Sequence, residues 1–342
     1  MDHSQQLFFP VTKAENGYTG QGIRMYRPGS WRIGFYFLLI STALFGSAAS
    51  VAAEVLVVTS GSTDVYQEVI DSFDQALRSS CRNCGNDAYV AISMDQVNDS
   101  ELRKRIAGDW QLIVTIGHQA SSRLASLNPA VPILHTLIPH ETYRQLPKAT
   151  RSPSVSAIFI DQPIKRRLLL LKIAMPDRTK VGVLISRSSH DAEEVIARKA
   201  KQYGLQPIFE TLENEDQLGS VLNKLLDRSD VLLAIPDPFI FNRNTVRNIL
   251  LSSYHHQIPV IGFSAAYVKA GAIIAVFSTP EEIGRQTGEE VAGYLNGNRN
   301  RLPPPSYPKY FSVMCNQRVS NSLQIKLPTV KQLEEILQEE SE

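Results

Sequence analysis

Residues 55–59 read Val-Leu-Val-Val-Thr, and Ser-Gly-Ser follows at residues 60–62. A short, mainly β-branched run that ends in a small polar turn predicts a strand buried on both faces. The next apolar residues recur at helical spacing: Val65, Val69, Phe73 and Leu77. A buried strand followed directly by an amphipathic helix is the repeating unit of α/β proteins with parallel sheets.

The same alternation continues outward from this segment along most of the chain. Further strands are predicted at residues 89–93, 112–117, 131–136, 155–160, 181–185, 207–211, 231–235, 260–263 and 273–276. Helices fill the intervals, and the series restarts after Asp161-Gln162-Pro163. We therefore expect an α/β fold with two doubly wound parallel-sheet lobes.

The composition is that of an ordinary globular protein. The chain has 342 residues, 43% hydrophobic and 20% charged, which argues against disorder and against a multi-span membrane protein. At about 100–200 residues per domain, this length suggests two domains. The chain contains 35 Lys and Arg residues and 34 Asp and Glu residues, so its formal net charge is only +1. A near-neutral chain has no overall positive potential that would attract a phosphate backbone, and nucleic acid is therefore not expected as a partner.

Residues 33–53 contain no charged residue; two arginines precede them and Glu54 follows. A basic n-region, an apolar h-region and small residues before a cleavage site, here before Glu54, are typical of a secretory signal. We expect residues 1–53 to be a signal peptide with a long leading region, and Met25 to be an alternative start. The other interpretation is a retained anchor in the inner membrane, facing the periplasm, since about 20 apolar residues span a bilayer. With no cysteine near the cut, export indicates a Gram-negative periplasm.

Export changes the interpretation of Cys81 and Cys84, which form a C-x-x-C pair. In an oxidising compartment such a pair is expected to form a disulfide across a short loop. A thioredoxin-like redox pair is the alternative, but such pairs usually precede a helix, whereas this one follows a helical segment. A zinc site would need a second pair of ligands. Cys315 is then a single thiol.

The sequence lacks the motifs of common catalytic and nucleotide-binding sites. It contains no G-x-S-x-G, H-E-x-x-H or G-x-x-x-x-G-K-[ST]. His255 and His256 are adjacent, and adjacent residues do not share a helix face. We therefore expect no enzyme activity, no cofactor and no metal.

Polar residues do recur at the carboxyl ends of the predicted strands. Ligands of doubly wound sheets bind outside those ends, where helix N-termini offer free N–H groups. Two lobes that face each other along these edges would enclose one cleft, although each residue could instead cap a helix. The candidate cleft residues are Ser62, His118, Gln119, Thr136, Arg187, Asp237 and Ser264.

Asp237 is the most distinctive of these candidates. It follows a buried strand and stands beside Phe239 and Phe241. Its carboxylate is suited to an ammonium or hydroxyl donor, with the two rings as an apolar wall. The alternative is an Asp that fixes a Pro-bounded turn. Arg187 is suited to an anionic group.

Short motifs, in order along residues 55–335, carry a family resemblance. They are Ile116-Gly117 with Ala120, Pro132-Ile133, Pro176, Val181-Gly182-Val183-Leu184, Ser229-Asp230-Val231 leading to Asp237, Ile258-Pro259-Val260, Gly271-Ala272, Ile283-Gly284-Arg285-Gln286, Leu295-Asn296-Gly297, and Asn316 to Leu327-Pro328. Together they resemble the periplasmic substrate-binding proteins of ABC transporters, in the subgroup that includes tryptophan- and tyrosine-binding members.

The resemblance implies a type I periplasmic-binding fold whose lobes are joined by three crossovers and close on ligand. It implies a first lobe of residues 54–160 plus about 279–308, and a second of 161–278 plus about 309–342. Where relatives carry a T-D-P-like turn after the fourth strand, residues 137–143 read Leu-Ile-Pro-His-Glu-Thr-Tyr. The resemblance therefore does not imply that this chain binds an aromatic amino acid.

The expected function is that of an exported solute-binding protein. It would capture a small organic ligand, amino-acid-like or otherwise, and present it to an ABC permease. The alternative is a periplasmic sensing or adaptor protein that signals to a membrane partner. A retained N-terminal anchor would favour the sensor.

Overall fold

The first sheet is built from five parallel strands in the spatial order β2-β1-β3-β4-β5. The strands are β1 (Val55–Thr59), β2 (Tyr89–Ser93), β3 (Leu112–Ile116), β4 (Ile133–Ile138) and β5 (Val155–Phe159). The helices that connect them are α1 (Asp64–Ser80), α2 (Asp99–Ile106), α3 (His118–Leu127) and α4 (His140–Gln145).

The second sheet has six strands in the order β11-β10-β9-β8-β6-β7, and only β11 runs antiparallel to its neighbour. Its strands are β6 (Lys180–Ile185), β7 (Gln206–Thr211), β8 (Val231–Leu233), β9 (Val260–Gly262), β10 (Ile274–Phe277) and β11 (Ser312–Cys315). The remaining helices are α5 (Ile164–Ala174), α6 (Asp191–Gln202), α7 (Leu218–Leu226), α8 (Val246–His255), α9 (Ala265–Ala270), α10 (Pro280–Leu295), α11 (Gln317–Ser322) and α12 (Val330–Glu339). The expected pair of doubly wound sheets is confirmed.

The computed structural model describes residues 54–82, 84–85, 87–147, 154–297 and 301–340. They belong to one unit that runs from Ser50 to Glu342. The predicted signal segment, residues 1–53, lies outside the described residues. In the part of the chain that is described, no helix has both the length and the apolar character of a membrane span.

Burial of β1 on both faces explains its continuous apolar sequence. Val55 and Val57 pack with α1 and α10, whereas Leu56 and Val58 pack with α2 and α3 on the opposite face. All four side chains are completely buried. Because successive side chains of a strand point to opposite faces, a strand between two helical layers has no polar positions.

The chain crosses between the sheets three times. It leaves the first sheet after β5, returns after β10 to place α10 against α1, and then enters the second sheet again as β11. On the third crossing, the Phe159 N–H donates to the Ser306 carbonyl and the Ser306 N–H to the Ala157 carbonyl, at 3.0 and 2.9 Å. We call the first sheet with α1–α4 and α10 the first lobe, and the second sheet with the other helices the second lobe.

The contact between α1 and α10 depends on glycine. A Cβ on Gly288 would lie 2.5 Å from the Phe73 carbonyl oxygen and 2.7 Å from the Ala76 Cβ. Real Cβ atoms do not approach other atoms so closely, so any side chain at Gly288 would push the two helices apart. Asn296, the C-cap of α10, accepts from the Arg82 N–H and donates to the Ser80 carbonyl, both at 2.9 Å.

The three crossovers are joined by hydrogen bonds. Gln162 on the first donates its side-chain amide to the Ser278 hydroxyl on the second, at 2.8 Å. The Ser278 hydroxyl donates to the Tyr310 carbonyl on the third, at 2.6 Å. Buried Arg166 donates to the Gln162 side-chain oxygen and to the Pro308 carbonyl, at 2.6 and 3.0 Å. We call these five residues the hinge network.

Candidate functional site

The carboxyl edge of the first sheet carries Ser62, His118 and Gln119 as exposed residues. Ser62 follows β1 and donates its N–H and its hydroxyl to one oxygen of Asp95, at 3.1 and 2.7 Å. Hydrogen bonding from the Ser93 side chain, and after it from Ser62, holds the pKa of the Asp95 carboxyl below its usual value. His118 and Gln119 open α3. The structure therefore presents all three predicted residues to solvent.

Close packing of two neighbouring loops fixes the start of α3. Gly117 has φ of 95°, a conformation that L side chains rarely adopt. A Cβ at this position would lie 2.7 Å from the Ser60 hydroxyl oxygen. That hydroxyl donates to the Ile116 carbonyl and accepts from the Ala120 N–H, at 3.1 and 2.9 Å. Glycine here allows the turn after β1 to support the helix that carries His118 and Gln119.

Thr136 lies in the interior of the first lobe. It has no solvent-accessible surface, and its hydroxyl forms a 2.9 Å hydrogen bond with the hydroxyl of Thr287 on α10. In this conformation Thr136 therefore joins β4 to α10 and has no exposed atom. A strand-end position in the sequence does not show which sheet face its side chain occupies, which is why burial was not foreseen.

Asp237 lies after β8 and is buried, with 2% of its surface exposed. Its Oδ2 accepts from the Ser186 and Ser189 hydroxyls at 2.6 Å each, and its Oδ1 accepts from the Phe239 N–H at 2.9 Å. Two longer hydrogen bonds, both 3.4 Å, come from the Ser188 hydroxyl and the Ile240 N–H. Asp237 therefore organises its own turn and ties it to the loop after β6.

The two other predicted residues of the second lobe differ in exposure. Arg187 is exposed in the loop after β6, between serines that bind Asp237. Ser264 is half-buried and is the N-cap of α9, where its hydroxyl accepts from the Tyr267 N–H at 3.4 Å. Within the described residues, none of the seven predicted side chains is hydrogen-bonded to another of the seven.

Aromatic side chains line the edge of the second lobe. Phe263 and Tyr267 have ring centroids 4.3 Å apart, and Phe241 lies 6.1 Å from each of them. Phe241 was expected to form an apolar wall beside Asp237, and the structure buries it in this group. Burial also raises the pKa of Tyr267 to about 12, so its hydroxyl is neutral at physiological pH.

The segment after β4, where the sequence departs from the T-D-P-like turn of relatives, contains a short helix. β4 extends through Ile138, with a register shift between Thr136 and Ile138 and a φ of 54° at Leu137. α4 then begins at His140. A six-residue helix is too short to produce a periodic apolar pattern, and the strained residue before it leaves no distinctive sequence signal.

A second aromatic group, which sequence reasoning missed, surrounds the end of β5. The ring of His140 lies 4.8 Å from that of Phe159 and 5.5 Å from that of Tyr307. Asp161 follows β5 and accepts the His140 N–H at 2.5 Å. Asp161 directly follows the predicted strand at residues 155–160, as the other candidates follow theirs, and this position is its signal in the sequence.

Two arginines lie where the lobes meet. Arg144 on α4 forms an ion pair with Asp191 at the start of α6, with 3.3 Å between Nη2 and Oδ2. Arg167 on α5 is buried and donates from Nη2 to the Ala234 carbonyl after β8. Burial lowers the pKa of Arg167 to about 10, and the nearby Asp161 opposes that shift. Arg167 is therefore a buried cation beside the first crossover.

The cysteines lie outside these loops, after α1 and at the end of β11. Cys81 and Cys84 are joined by a disulfide, with 5.6 Å between their Cα atoms. Cys315 on β11 is a half-buried thiol, and burial raises its pKa to about 11. Among the described residues, no group of three or more His, Cys, Asp and Glu side chains is arranged to hold a metal ion.

Comparison with known proteins provides a family match and a fold match. The model of the family described as ABC transporter substrate binding protein matches residues 56–339. No curated protein sequence matches the chain.

Several solved structures are similar. The ligand-free, open form of a substrate-binding protein with adhesive properties from Clostridium difficile is 20% identical, with a TM-score of 0.65 over 81% of this chain and 97% of the other. A Streptococcus pneumonia ABC domain in complex with L-Trp is 18% identical, with a TM-score of 0.56 over 81% and 96%. A conserved domain protein from Vibrio cholerae is 20% identical, with a TM-score of 0.56 over 81% and 96%. At these identities the likeness establishes the fold.

Proposed function

Because the chain belongs to the ABC transporter substrate-binding protein family, we propose that it is an exported solute-binding protein that presents a small organic ligand to an ABC permease. The observation that carries the proposal is the family match, which spans both sheets and all three crossovers. The family is one of ligand-binding proteins and not of enzymes. A binding role also agrees with loops and helix N-termini collected at the carboxyl edges of two parallel sheets.

We propose that ligand binds between lobes formed by residues 54–160 with about 279–308 and by residues 161–278 with about 309–342. Ligand would favour the closed form because it contacts both lobes only there, and the closed form would dock on the permease. Ser62, His118, Gln119 and Arg187 are the proposed direct contacts, because they are exposed at strand ends. Ser264 and Asp237 would shape the cleft, and Thr136 would need a rearrangement to reach ligand.

Ligand binding is tested by native mass spectrometry of protein purified without refolding, followed by thermal unfolding with a metabolite panel. We expect a retained small molecule, or a raised Tm with one compound class. At 100 times Kd, a ligand that binds only the folded state adds about 2.7 kcal/mol, a shift of several degrees. If no compound at saturating concentration raised the Tm, the proposal would fail.

Export is tested separately. We propose cleavage before Glu54 and a periplasmic location. N-terminal sequencing of protein from the periplasmic fraction should therefore begin at Glu54. A mature protein that kept residues 33–53 and sedimented with membranes would instead support the anchored sensor.

A further inference from the structure

Asp161 and Asp237 both follow strands at the carboxyl edges, yet only Asp161 keeps an unused oxygen. Asp237 already accepts from three serine hydroxyls and two backbone N–H groups of its own turn. A ligand donor would have to displace several of these hydrogen bonds. In Asp161, Oδ2 accepts the His140 N–H, and no described residue donates a hydrogen bond to Oδ1.

Aromatic rings cluster beside Asp161. The ring of His140, whose backbone N–H donates to Asp161, meets that of Phe159 edge to face at 4.8 Å, and the Phe159 ring lies 5.3 Å from that of Tyr307. Tyr307 keeps 37% of its surface exposed, although Phe159 beneath it is buried. The charge of Asp161 contributes to the raised pKa of Tyr307, after burial, so the two side chains are electrostatic neighbours. A carboxylate beside a partly exposed aromatic ring is suited to an organic cation.

The contacts of this group reach the second lobe. α4, which begins at His140, carries the Arg144 side chain that pairs with Asp191 of α6. Arg167, whose charge acts on Asp161, is held by the Ala234 carbonyl at the end of β8. Asp161 therefore lies on the first crossover, at the boundary between the two lobes.

The connected charges leave an excess of one negative charge. Asp161, Glu141 and Asp191 are acidic, and Arg144 and Arg167 are basic, three against two. His140 adds no charge at neutral pH, since burial lowers its pKa. Burial also raises the pKa of Asp161, because the hydration it loses is not replaced by enough donors. A cation at Oδ1 would supply the missing interaction.

We infer that Asp161 binds a cationic amine of the ligand, with the rings of Tyr307 and His140 against the apolar part of the same molecule. The inference rests on the proposed function, since it assigns a ligand class to the same cleft. It also separates two carboxylates with different roles: Asp161 contacts the ligand, and Asp237 holds a turn.

Three matched probes test the inference by calorimetric titration: 2-phenylethylamine, 2-phenylethanol and 3-phenylpropionate. We expect the wild-type protein to bind the amine at least tenfold more tightly than the alcohol or the acid. Asp161→Asn keeps an acceptor for the His140 N–H but removes the charge, and it should weaken amine binding at least tenfold without changing alcohol binding. Asp109→Asn, an equal loss of charge at an exposed position before β3 of the same lobe, should change amine binding less than threefold.

A second variant covers the case in which Asp161→Asn is unstable. Tyr307→Leu removes an exposed ring and should weaken amine binding about threefold. Amine binding by Asp161→Asn equal to wild type would overturn the inference, as would a wild-type preference for the alcohol or the acid, although either result would leave the proposed function intact. Failure of all three probes to bind wild type also overturns the inference. The proposed function fails with it only if the metabolite panel gives no binding either.

Discussion

Asp237 connects two loops of the second lobe through its side chain. The loop after β6 contributes serine hydroxyls, and the turn after β8 contributes backbone N–H groups. A carboxylate with this many donors is held in one orientation. Its removal would leave buried polar groups without partners.

We predict that Asp237→Ala lowers the free energy of unfolding by about 2–4 kcal/mol, because Ser186, Ser189 and the Phe239 N–H all lose a charged acceptor. Urea denaturation measures the change. Asp216→Ala, at an exposed position of the same lobe, should cost less than about 0.5 kcal/mol. Equal stability of the two variants would refute the structural role given to Asp237.

His135 is a buried titratable residue of the first lobe. It lies on β4, and its Nδ1 is 2.8 Å from the Thr115 hydroxyl, which also bonds the Ser121 hydroxyl at 2.9 Å. Nε2 is buried and has no hydrogen-bond partner among the described residues. Burial lowers the pKa of His135 to about 4, so the folded protein keeps the neutral imidazole.

This depressed pKa predicts loss of stability in acid. The unfolded chain takes up the proton near pH 6.5 and the folded chain only near pH 4, so stability falls between those values and is unaffected above about 6.5. The contribution is about 3 kcal/mol. The stability advantage of wild type over His135→Asn should shrink by that amount from pH 7 to pH 4, measured by urea denaturation. A constant difference between wild type and His135→Asn would contradict the prediction.

At the scale of elements, α1 and α10 form the most extensive helix–helix contact among the described residues of the first lobe. Gly288 and Gly293 lie on the same helix, but only Gly288 meets α1, and a Cβ on Gly293 would have no atom within 4 Å. Substitution by alanine at these two positions therefore distinguishes the effect of helix–helix packing from the effect of helix propensity.

We predict that Gly288→Ala destabilises the protein by about 2–3 kcal/mol, since overpacking outweighs the gain in helix propensity. Gly293→Ala should instead stabilise it by up to about 1 kcal/mol. Thermal and urea unfolding of the pair provide the comparison. If Gly288→Ala were as stable as wild type, the helices would not be in the contact described.

Elements with a strong local pattern were predictable, and those set by distant contacts were not. β1 and β2 match their predicted bounds, because each is a short run framed by turn residues. α4, α9 and α11 were missed, since each has six residues and forms fewer than two turns. The same limit applies to side chains: the position of Asp237 was predictable, whereas its serine partners, some 50 residues earlier, depend on the pairing of β6 with β8.

At the scale of the whole molecule, the hinge network joins the segments about which two lobes would move. Arg166 contributes most to it, with donors to two crossovers and a guanidinium 4.2 Å from the ring centroid of Phe311. Burial lowers its pKa to about 10, and it stays charged at neutral pH. Its loss would affect all three crossovers together.

We predict that Arg166→Met lowers the free energy of unfolding by about 2–3 kcal/mol, since Met keeps contact with Phe311 but donates no hydrogen bond. Hydrogen exchange should quicken in residues 160–163, 277–279 and 308–311 before it does so in either sheet. Lys165→Met, which removes only an exposed bond to the Glu340 carbonyl, should leave those rates unchanged. Unaltered exchange in Arg166→Met would contradict the hinge assignment.

The return of α10 to the first lobe also has a consequence for synthesis. Ser80 and Asn296, which are hydrogen-bonded in the folded protein, are 216 residues apart in sequence. At about 5–20 residues per second, a ribosome needs roughly 10–40 s to make the intervening chain. Until then Val69 and Phe73 of α1 lack the helix that covers them. The lobe that is begun first is therefore completed only after β6–β10 of the second lobe have been made, and a nascent chain with that apolar face uncovered is a natural target for chaperones.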